Sequence, residues 1–539
     1  MSGYRNSFAL AVATAACLLL PTANSAPVIE CGEIADLDLR DMKFGRSIIN
    51  LTAALVEGAE EAPAHCSISG RIFPEIDFAA KLPIDWNGRF VMTGSGGAGG
   101  SLRPEGLNTL VARGYAAAGD DTGHEGRGDD FSFAYNPDDN SNPHAAQKLE
   151  DLAYRSIHET TSLTKQVIAA YYGQDAEYSY YYGASQGGRQ GLKNAQMYPE
   201  DFDGWSVGYP VLDISGTTMA DIWNLRATFL AEQEVTPEKM PTLAEAVLAQ
   251  CDIADGLDDG LISAPMDCDF DPAEDLPICP ASAETDDCFT PAQVGALKKV
   301  YSGPINSKGE ELFYPPPPGS EQMAPTSSFP GAPPPPLPTA SLWDNGTVVG
   351  WRNNDIMTAR SGGLGSTFVK YVIYQDPEMD WSDDFYDSYA DASADVARII
   401  DAVDPDLDAL AAGGKKILHY HGLADALVTP YQSIAYYESV QKMLGAAGSL
   451  NFYKLYLIPG MGHGASVSVG PSFPQQDWLE ILVSWVELGI EPMAIVATRP
   501  ANEAANLAAM SRPLCPYPTI AVYDGDGNTS DARNFSCSM

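Results

Sequence analysis

The stretch Gly183-Ala184-Ser185-Gln186-Gly187 is the feature that most constrains how this chain folds. It follows a short aromatic strand at residues 180–182 and runs into a helix expected from about Arg189. A Gly-x-Ser-x-Gly turn between a strand and a helix is typical of the nucleophile elbow of serine hydrolases. The glycines are required because the turn is too tight for side chains beside the serine. The motif therefore predicts that Ser185 is held above the edge of a sheet.

The segments on both sides alternate between short strands and helices, which predicts an α/β fold with a mostly parallel central sheet. Strands are expected at residues 90–93, 115–119, 180–182, 205–209, 416–422 and 452–458, and helices at 149–172, 189–198 and 475–488. From residue 212 to residue 408 the alternation gives way to cysteines, acidic loops and proline runs. We expect an inserted lid domain over 212–408, within an α/β-hydrolase domain formed by 26–211 and 409–539.

The first 25 residues have the pattern of a signal peptide. Arg5 is followed by an apolar run at 8–20 and by the small residues Ala23-Asn24-Ser25, which fit a cleavage site. The apolar run is too short to span a bilayer well, and no later segment is long and apolar enough. We expect the mature protein to be secreted or periplasmic.

The cysteine content agrees with an oxidising compartment. Cys17 lies in the signal segment, which leaves an even number of cysteines in the mature chain. A metal site is the weaker interpretation, because no Cys-x-x-Cys motif or nearby histidine supports it. The expected disulfides join Cys31 to Cys66, Cys251 to Cys268, Cys279 to Cys288 and Cys515 to Cys537.

The formal net charge of −41 bears on possible partners. Such an acidic surface repels nucleic acid and anionic membranes, so we expect neither as a partner. Solubility, in a salty habitat where charges are screened, is the simplest role for this charge. A pocket for an anionic substrate would have to supply its own cation.

An elbow of this type requires an acid and then a histidine, in that order along the chain. Asp425 follows the strand predicted at 416–421, and His463 follows the strand predicted at 452–458 within a glycine-rich loop. We expect His463 to take the proton of Ser185 while Asp425 orients the imidazole. Competing side chains are expected to pack beside the cleft or to cap a helix; they are His124, His419, His421, Asp401, Asp404 and Asp406.

The oxyanion of an ester intermediate requires two backbone N–H donors. Gln186, which follows the nucleophile, is expected to supply one of them. The other should come from the glycine loop 94–100, where small residues let the backbone approach a substrate; we choose Gly97, with Gly96 second. A phosphate-binding turn is the alternative, but no accompanying lysine or acidic partner is present.

Several motifs together resemble the tannase/feruloyl esterase family of α/β-hydrolases over nearly all of the mature chain. The motifs are Leu82-Pro83-Ile84-Asp85-Trp86-Asn87-Gly88-Arg89-Phe90, Gly114-Tyr115-Ala116 with Asp121-Thr122-Gly123-His124, Gly183-Ala184-Ser185-Gln186-Gly187-Gly188-Arg189-Gln190 with Tyr198-Pro199-Glu200-Asp201-Phe202-Asp203-Gly204, and Cys515-Pro516-Tyr517-Pro518 with Asn534-Phe535-Ser536-Cys537. The resemblance implies a serine carboxylesterase that hydrolyses esters of monoaromatic acids, of the feruloyl or galloyl type, through an acyl-enzyme.

The family includes hydrolases of mono(2-hydroxyethyl) terephthalate, and such activity is the first alternative. That substrate carries a free carboxylate, for which Arg352 and Arg360 in the lid are candidate partners. The alternative role for each arginine is a surface salt bridge. A noncatalytic binding protein on the same fold, and a metalloenzyme, are alternatives of other classes.

The resemblance also implies a structural calcium ion in the lid, at residues 251–262. The expected ligands are the side chains of Asp252, Asp255 and Asp259 and the carbonyls of Leu257 and Leu261. Hard oxygen ligands and glycines that allow a tight wrap suit Ca²⁺. The alternative is an acidic, solvated loop.

One departure from the family pattern concerns the residues directly before the serine and the histidine. The family has a disulfide there, whereas this chain has Ala184 and Gly462. Packing alone must then hold the loop of His463 near Ser185. We expect a more mobile histidine loop and lower heat tolerance than in relatives with the link.

Overall fold

The computed structural model describes residues 25–37, 48–59, 62–136, 141–229, 235–280, 283–322, 364–380, 385–445, 448, 451–501 and 507–539. The predicted signal segment before Ser25 lies outside the described residues. So do Arg352 and Arg360, the two arginines predicted to bind a substrate carboxylate.

A nine-stranded sheet forms the centre of the molecule. Its strands are β1 (Ile48–Val56), β2 (His65–Ile72), β3 (Ile76–Pro83), β4 (Arg89–Thr93), β5 (Ala116–Asp120), β6 (Tyr178–Ala184), β7 (Gly204–Gly208), β8 (Lys416–Gly422) and β9 (Tyr453–Ile458). Their order across the sheet is β1-β2-β3-β5-β4-β6-β7-β8-β9. The six strands from β5 to β9 in this order are parallel, and β1, β2 and β3 add an antiparallel edge.

The helices are α1 (Asn108–Val111), α2 (Ala145–Glu150), α3 (Ser156–Tyr172), α4 (Gln186–Met197), α5 (Ile214–Phe229), α6 (Met240–Cys251), α7 (Pro272–Asp275), α8 (Pro291–Ser302), α9 (Leu364–Thr367), α10 (Tyr386–Ile400), α11 (Asp408–Ala412), α12 (Pro430–Leu444) and α13 (Trp478–Leu488). A π-helical turn, Asp151–Arg155, joins α2 to α3. The expected helix at 149–172 is therefore interrupted in its first turns.

Helices cover both faces of the sheet, which explains why its central strands are continuously apolar. In β4, Phe90 and Met92 point towards α3 and α4, whereas Val91 between them packs with the residues of α1 and α13. All three side chains are fully buried. Successive strand residues point to opposite faces, so one short strand serves both cores. The predicted α/β-hydrolase fold is confirmed.

The segment between β7 and β8 departs from this pattern. Its described residues add helices α5 to α11 but no strand to the nine-stranded sheet. The two ends of the segment lie side by side, because the N–H of Ala402 donates to the carbonyl of Leu212 at 2.8 Å. The chain thus returns at residue 402 to the point that it left at residue 212, and residues 403–415 then lead to the start of β8 at the opposite edge of the sheet.

Smaller strands follow the main sheet. They form the pair β10 (Met461–Gly462) and β11 (Gly464–Ser468), the sheet of β12 (Phe473–Pro474), β13 (Ile495–Arg499) and β14 (Met510–Leu514), and the pair β15 (Ile520–Tyr523) and β16 (Phe535–Ser538). All four expected disulfides are confirmed. Within the described ranges, no helix has the length and apolar character that a membrane crossing requires.

Candidate active site

Ser185 lies on the turn between β6 and α4 in a strained backbone conformation. Its φ of 59° and ψ of −124° are unusual for a residue other than glycine. The N–H of Ser185 donates to the carbonyl of Gly208 on the neighbouring strand at 2.9 Å, which fixes the turn. A Cβ atom on Gly183 would lie 2.7 Å from the carbonyl oxygen of Gly187, so the turn excludes larger residues.

The structure brings the three predicted side chains together in one hydrogen-bonded chain. Nε2 of His463 is 2.8 Å from Oγ of Ser185, and Nδ1 of the same ring is 2.7 Å from Oδ2 of Asp425. The serine comes from the end of β6, the aspartate from the loop after β8 and the histidine from the hairpin after β9. Because these strands are parallel, their carboxyl ends meet at the same edge of the sheet.

The partners of the imidazole determine where its protons are. The carboxylate of Asp425 can only accept, so Nδ1 of His463 carries the proton and donates it. Nε2 is then the unprotonated nitrogen of the neutral ring, and it accepts from the hydroxyl of Ser185. This tautomer is the one that can take the serine proton during attack.

Asp425 stays ionised although it is fully buried. Burial tends to raise its pKa, but electrostatic attraction to the imidazolium form of His463 and hydrogen bonds from His421 and His463 outweigh burial and lower the pKa to about 2. Its other oxygen, Oδ1, accepts from the N–H groups of Leu427 and Val428 at 3.0 and 2.9 Å. The loop after β8 therefore both orients the carboxylate and stabilises its charge.

The competing histidines and aspartates have other partners. His421 donates from Nε2 mainly to the carbonyl of Val428 at 2.8 Å, with Oδ2 of Asp425 at 3.4 Å, and accepts at Nδ1 from Ser433, which places it behind Asp425. The ring of His419 bonds to the hydroxyl of Tyr453 instead. His124 is buried and stacks on a phenylalanine, and Asp401 accepts from two N–H groups at the start of α5.

The glycine loop between β4 and α1 lies against the elbow. A Cβ on Gly187 would be 3.0 Å from the carbonyl carbon of Gly94, so the two backbones are in contact. Five amides of this loop have acceptors; they belong to Gly94, Ser95, Ala98, Gly99 and Gly100. The amides of Gly96 and Gly97 have no hydrogen-bond acceptor among the described residues. Gln186 begins α4, where an N–H group has no acceptor within the helix.

Arg189 is a buried cation that the sequence interpretation did not assign a role. Its guanidinium donates to Oε1 of Gln186 at 2.9 Å and to the carbonyls of Leu152, Ala153 and Ile400. Burial lowers its pKa to about 10, so it remains charged at neutral pH. Arg189 thereby joins the elbow helix to the π-helical turn and to the end of α10. The position of Arg189 in the family motif Gly-Gly-Arg-Gln could have indicated this role from the sequence.

A cavity of about 370 Å³ borders the glycine loop. Ser95, Gly96 and Gly97 form part of its wall, and Arg103 lies at its rim. The side chain of Arg103 is exposed, and its guanidinium forms no ion pair with the described residues. The sequence interpretation overlooked this cation because it looked for arginines only in the lid.

The predicted calcium loop folds as a tight turn in which carboxylates accept backbone hydrogen bonds. The two oxygens of Asp252 accept from the N–H groups of Gly260 and Leu261 at 2.7 and 3.1 Å. Oδ1 of Asp255 accepts from the N–H of Leu257 at 2.9 Å. These contacts use oxygens that were expected to face a cation.

The third carboxylate, that of Asp259, is paired with Arg512 through Oδ2. Its Oδ1 is buried and has no hydrogen-bond partner in the described part of the chain. Burial raises the pKa of Asp259 to about 6, and the charges of Asp252 and Asp255 act in the same direction, against Arg512. No cluster of three or more His, Cys, Asp or Glu side chains among the described residues is arranged to hold a metal. Calcium binding stays a prediction.

Comparison with known proteins agrees with the fold. The family model for tannase and feruloyl esterase matches residues 61–538. The chain is 29% identical to the mono(2-hydroxyethyl) terephthalate hydrolase of Piscinibacter sakaiensis, over 90% of this chain and 86% of that protein. It is 32% identical to the "Probable feruloyl esterase" of Arthroderma benhamiae, over 85% of this chain and 81% of that protein.

Among solved structures, feruloyl esterase B of Aspergillus oryzae superimposes with a TM-score of 0.77 at 25% identity, covering 94% of this chain and 100% of that chain. The tannin acyl hydrolase of Aspergillus niger shares the fold, with a TM-score of 0.73 at 22% identity, covering 96% of each chain. The chain therefore belongs to the tannase and feruloyl esterase family of α/β-hydrolases and is a carboxylic ester hydrolase.

Proposed function

We propose that this protein is a serine esterase that hydrolyses esters of monoaromatic carboxylic acids through an acyl-enzyme. The observation that carries the proposal is the chain of hydrogen bonds from Ser185 through His463 to Asp425, at 2.8 and 2.7 Å. A hydroxyl, a neutral imidazole and a buried carboxylate in this order form a nucleophile, a general base and an orienting group.

In the first half of the reaction, Oγ of Ser185 attacks the ester carbonyl carbon while its proton passes to Nε2 of His463. The carbonyl oxygen becomes an oxyanion, which the N–H groups of Gln186 and Gly97 stabilise. The intermediate then collapses, the bond to the alcohol oxygen breaks, and His463 gives its proton to the departing alcohol. The acyl group remains bound to Ser185 as an ester.

In the second half, a water molecule takes the place of the alcohol. His463 removes one of its protons, the water oxygen attacks the acyl carbon, and the same two N–H groups stabilise the second oxyanion. Collapse returns the proton to Oγ of Ser185 and releases the acid. Throughout, the ionised Asp425 stabilises the imidazolium that forms transiently.

The acyl preference rests on the names of the relatives and on the lid. Feruloyl esterases and tannin acyl hydrolase are among the similar proteins. The described residues of the predicted lid include the half-buried aromatic rings of Trp223, Phe313 and Tyr374, which pack against one hydrophobic cluster. Flat aromatic surfaces suit a monoaromatic acyl group.

A terephthalate monoesterase is the second candidate, because the chain is similar to a hydrolase of that substrate. Its substrate carboxylate requires a cation. Arg103 at the rim of the cavity is one candidate, beside Arg352 and Arg360 of the lid. Each arginine is replaced by alanine, and the ratio of the KM values for acidic and neutral aryl esters is measured. An unchanged ratio in all three variants would exclude this carboxylate-binding role.

The proposed chemistry is tested with a serine-directed phosphonate and mass measurement. We expect one adduct, located at Ser185, together with complete loss of hydrolysis of methyl ferulate. The Ser185→Ala variant should form no adduct and lose turnover, whereas Ser132→Ala, at an exposed serine, should match the wild type. Full turnover in Ser185→Ala would favour metal-centred hydrolysis, and absence of an adduct in the wild type would favour a binding protein.

We also propose that the loop 251–262 binds a structural calcium ion. The charges of Asp252 and Asp255 raise the pKa of Asp259, and the buried Oδ1 of Asp259 has no partner among the described residues. A cation would relieve both. Asp252 and Asp255 would hold the ion with Asp259 and with the carbonyls of Leu257 and Leu261. The ion would stabilise the lid and take no part in the reaction.

The test is thermal unfolding in calcium and in a chelator, with no substrate present. We expect a higher Tm in calcium, and loss of that difference in Asp255→Asn. Asp269→Asn, at an acidic position outside the loop, should keep it. Equal Tm values in calcium and chelator would exclude the site.

Export is the remaining part of the proposal. The described chain contains four disulfides, which persist in oxidising compartments. Mass measurement of the exported protein should show an N-terminus close to Ala26. A retained N-terminus in the cytoplasmic fraction would contradict cleavage.

A further inference from the structure

We propose that Tyr209 positions the catalytic imidazole of His463 by ring packing. This chain has Ala184 and Gly462 where the family pattern has a disulfide, and the ring contact would hold the histidine loop in its place. The inference rests on the proposed serine esterase function, because it concerns the base of that reaction. Tyr209 follows β7 directly and lies in none of the motifs that the sequence interpretation singled out.

The ring of Tyr209 packs against the ring of His463 in a T-shaped arrangement. The two centroids are 4.7 Å apart and the planes are inclined at 69°. Aromatic pairs prefer this geometry, since the positive edge of one ring meets the negative face of the other. The contact restricts the imidazole on a side where neither Ser185 nor Asp425 holds it.

The backbone ties Tyr209 to the nucleophile elbow. Gly208, the preceding residue, pairs with Ala184 across β6 and β7 and accepts the N–H of Ser185. The φ of Tyr209 is 31°, a value that residues other than glycine rarely adopt. Strain of this kind persists where the surroundings fix the residue, and it is typical of functional sites. Tyr209 thus spans from the backbone of the serine to the ring of the histidine.

Tyr209 is itself held by two further aromatic residues, Tyr420 and Trp478. Its N–H donates to the carbonyl of Tyr420 at 2.6 Å, and the two rings lie 6.0 Å apart at 75°. The ring of Tyr420 stacks on Trp478 of α13, at 4.2 Å and 5°. The catalytic histidine is therefore connected by three aromatic side chains to the hydrophobic core under the sheet.

The histidine loop is shaped to receive this ring. The φ of Gly464 is 103°, which favours glycine, and a Cβ there would make a tight contact of 3.2 Å with the hydroxyl oxygen of Tyr209. On the other side of His463, the carbonyl of Met461 accepts from the N–H of Ala424 at 2.9 Å. One backbone hydrogen bond and one aromatic ring thus hold the two flanks of the histidine.

The test is a set of Tyr209 variants assayed on a small neutral aryl ester. We expect Tyr209→Ala to lower kcat by about 10- to 100-fold, since displacement of a catalytic group by about 1 Å has effects of this size. KM should change by less than about threefold, because the ring is assigned to the base and not to substrate binding. Tyr209→Phe keeps the ring and should stay within about threefold of the wild type.

Rescue separates positioning from general damage to the structure. The changes Ala184→Cys and Gly462→Cys are added to Tyr209→Ala, and formation of the link is confirmed by mass. The linked protein should recover at least about tenfold in kcat, and dithiothreitol should abolish the recovery. If Tyr209→Ala does not fold, Tyr209→Leu fills the space without a ring and takes its place.

Tyr178→Ala is the matched control, because Tyr178 lies at the opposite end of the neighbouring strand β6. Its kcat should equal that of the wild type. The proposal is overturned if Tyr209→Ala, or Tyr209→Leu in its place, keeps at least half of the wild-type kcat, or if the linked protein does not recover. Failure of the proposed function is a separate result, since Ser185→Ala would then retain turnover.

Discussion

The two sides of the site are held in different ways. On the elbow side, the glycine loop, the turn after β5 and the start of α4 are joined by hydrogen bonds and buried charges; Arg189 alone donates to four oxygen atoms. On the histidine side, the hairpin that carries His463 is packed against aromatic rings. Its residues come from a segment that is 278 positions away from Ser185 in sequence.

The serine and the histidine are therefore positioned by different kinds of contact. The serine is fixed by its strained turn and by a backbone hydrogen bond to the adjoining strand β7, and Arg189 joins the elbow to the buried end of α10. The base is fixed only after distant strands have assembled. We therefore expect changes to the residues that support the elbow, Ser185 itself apart, to act mainly on stability, and changes on the histidine side to act mainly on turnover.

The largest effect is expected on the histidine side, for Asp425→Asn. The amide keeps the volume of the carboxylate but does not stabilise the imidazolium or enforce the tautomer, so kcat should fall by on the order of 10⁴-fold. Steady-state kinetics on methyl ferulate measure the fall. Asp404→Asn, a change at an exposed aspartate, is the control. A loss of less than tenfold in Asp425→Asn would remove the acid from the assignment.

The next effect is expected on the elbow side, for Arg189→Met. Methionine fills part of the space but removes the donor of the buried carbonyls of Ala153 and Ile400. The carbonyl of Leu152 keeps a bond from Nε2 of Gln190. Unsatisfied buried acceptors cost about 1–3 kcal/mol each, so the free energy of unfolding should fall by about 3 kcal/mol or more. Urea unfolding measures it, with the exposed Arg127→Met as control. An unchanged midpoint would show that this side does not depend on the buried cation.

A covalent link between the two sides should change the free energy of unfolding by less than Arg189→Met does. With Ala184→Cys and Gly462→Cys in the otherwise unchanged chain, the disulfide closes a long loop, for which typical gains are about 2–4 kcal/mol. We expect a higher Tm under oxidising conditions and the wild-type value, or slightly less, after reduction. Equal Tm values in both conditions, with the link present by mass, would contradict the expectation that the missing disulfide limits heat tolerance.

The smallest effect is expected on the pH dependence of stability, through Asp121 in the turn after β5. Burial raises the pKa of Asp121 to about 8, opposed by the N–H of Gly123 and reinforced by the charges of Asp120 and Asp77. The folded protein therefore keeps a proton that the unfolded chain releases, and stability is lost as the pH rises from about 4 through about 8. Asp425 has the opposite sign, because its lowered pKa gives stability that is lost only as the pH falls towards 2.

Asp121→Asn removes this titration and keeps the Oδ1 acceptor for two backbone N–H groups. The variant should be more stable than the wild type by at least about 1 kcal/mol at pH 9, and the difference should disappear at pH 5. Urea unfolding at the two pH values measures it, with the exposed Asp395→Asn as control. A difference that is the same at both pH values would show that ionisation of Asp121 is not its cause.

The sequence was most informative where the geometry is local. The elbow, the parallel strands and the disulfides follow from turn chemistry, hydrophobic pattern and cysteine spacing. The order of serine, aspartate and histidine along the chain then placed Asp425 and His463 within reach of Ser185. The antiparallel strands β1 to β3 were not predicted. In β2 polar and apolar residues are mixed, and in β3 Asp77 and Lys81 interrupt the apolar pattern.

What the sequence did not reveal depends on contacts between distant segments. Tyr209 is one of 26 tyrosines, and its importance follows only from a ring contact with a residue far along the chain. Arg103 acquires significance from a cavity that forms when the glycine loop folds over the ends of β4 and β5. In the loop expected to bind calcium, the pairing of Asp259 with Arg512 depends on β14, which is remote in sequence.

The hydrogen bond between Ala402 and Leu212 has a consequence for the evolution of specificity. Because this bond brings Ala402 back beside Leu212, the stretch between these two residues is a cassette: it can be replaced by one of different length without moving the strands that carry Ser185, Asp425 and His463. Exchange of this cassette between relatives offers a direct route to new substrate ranges on an unchanged catalytic frame.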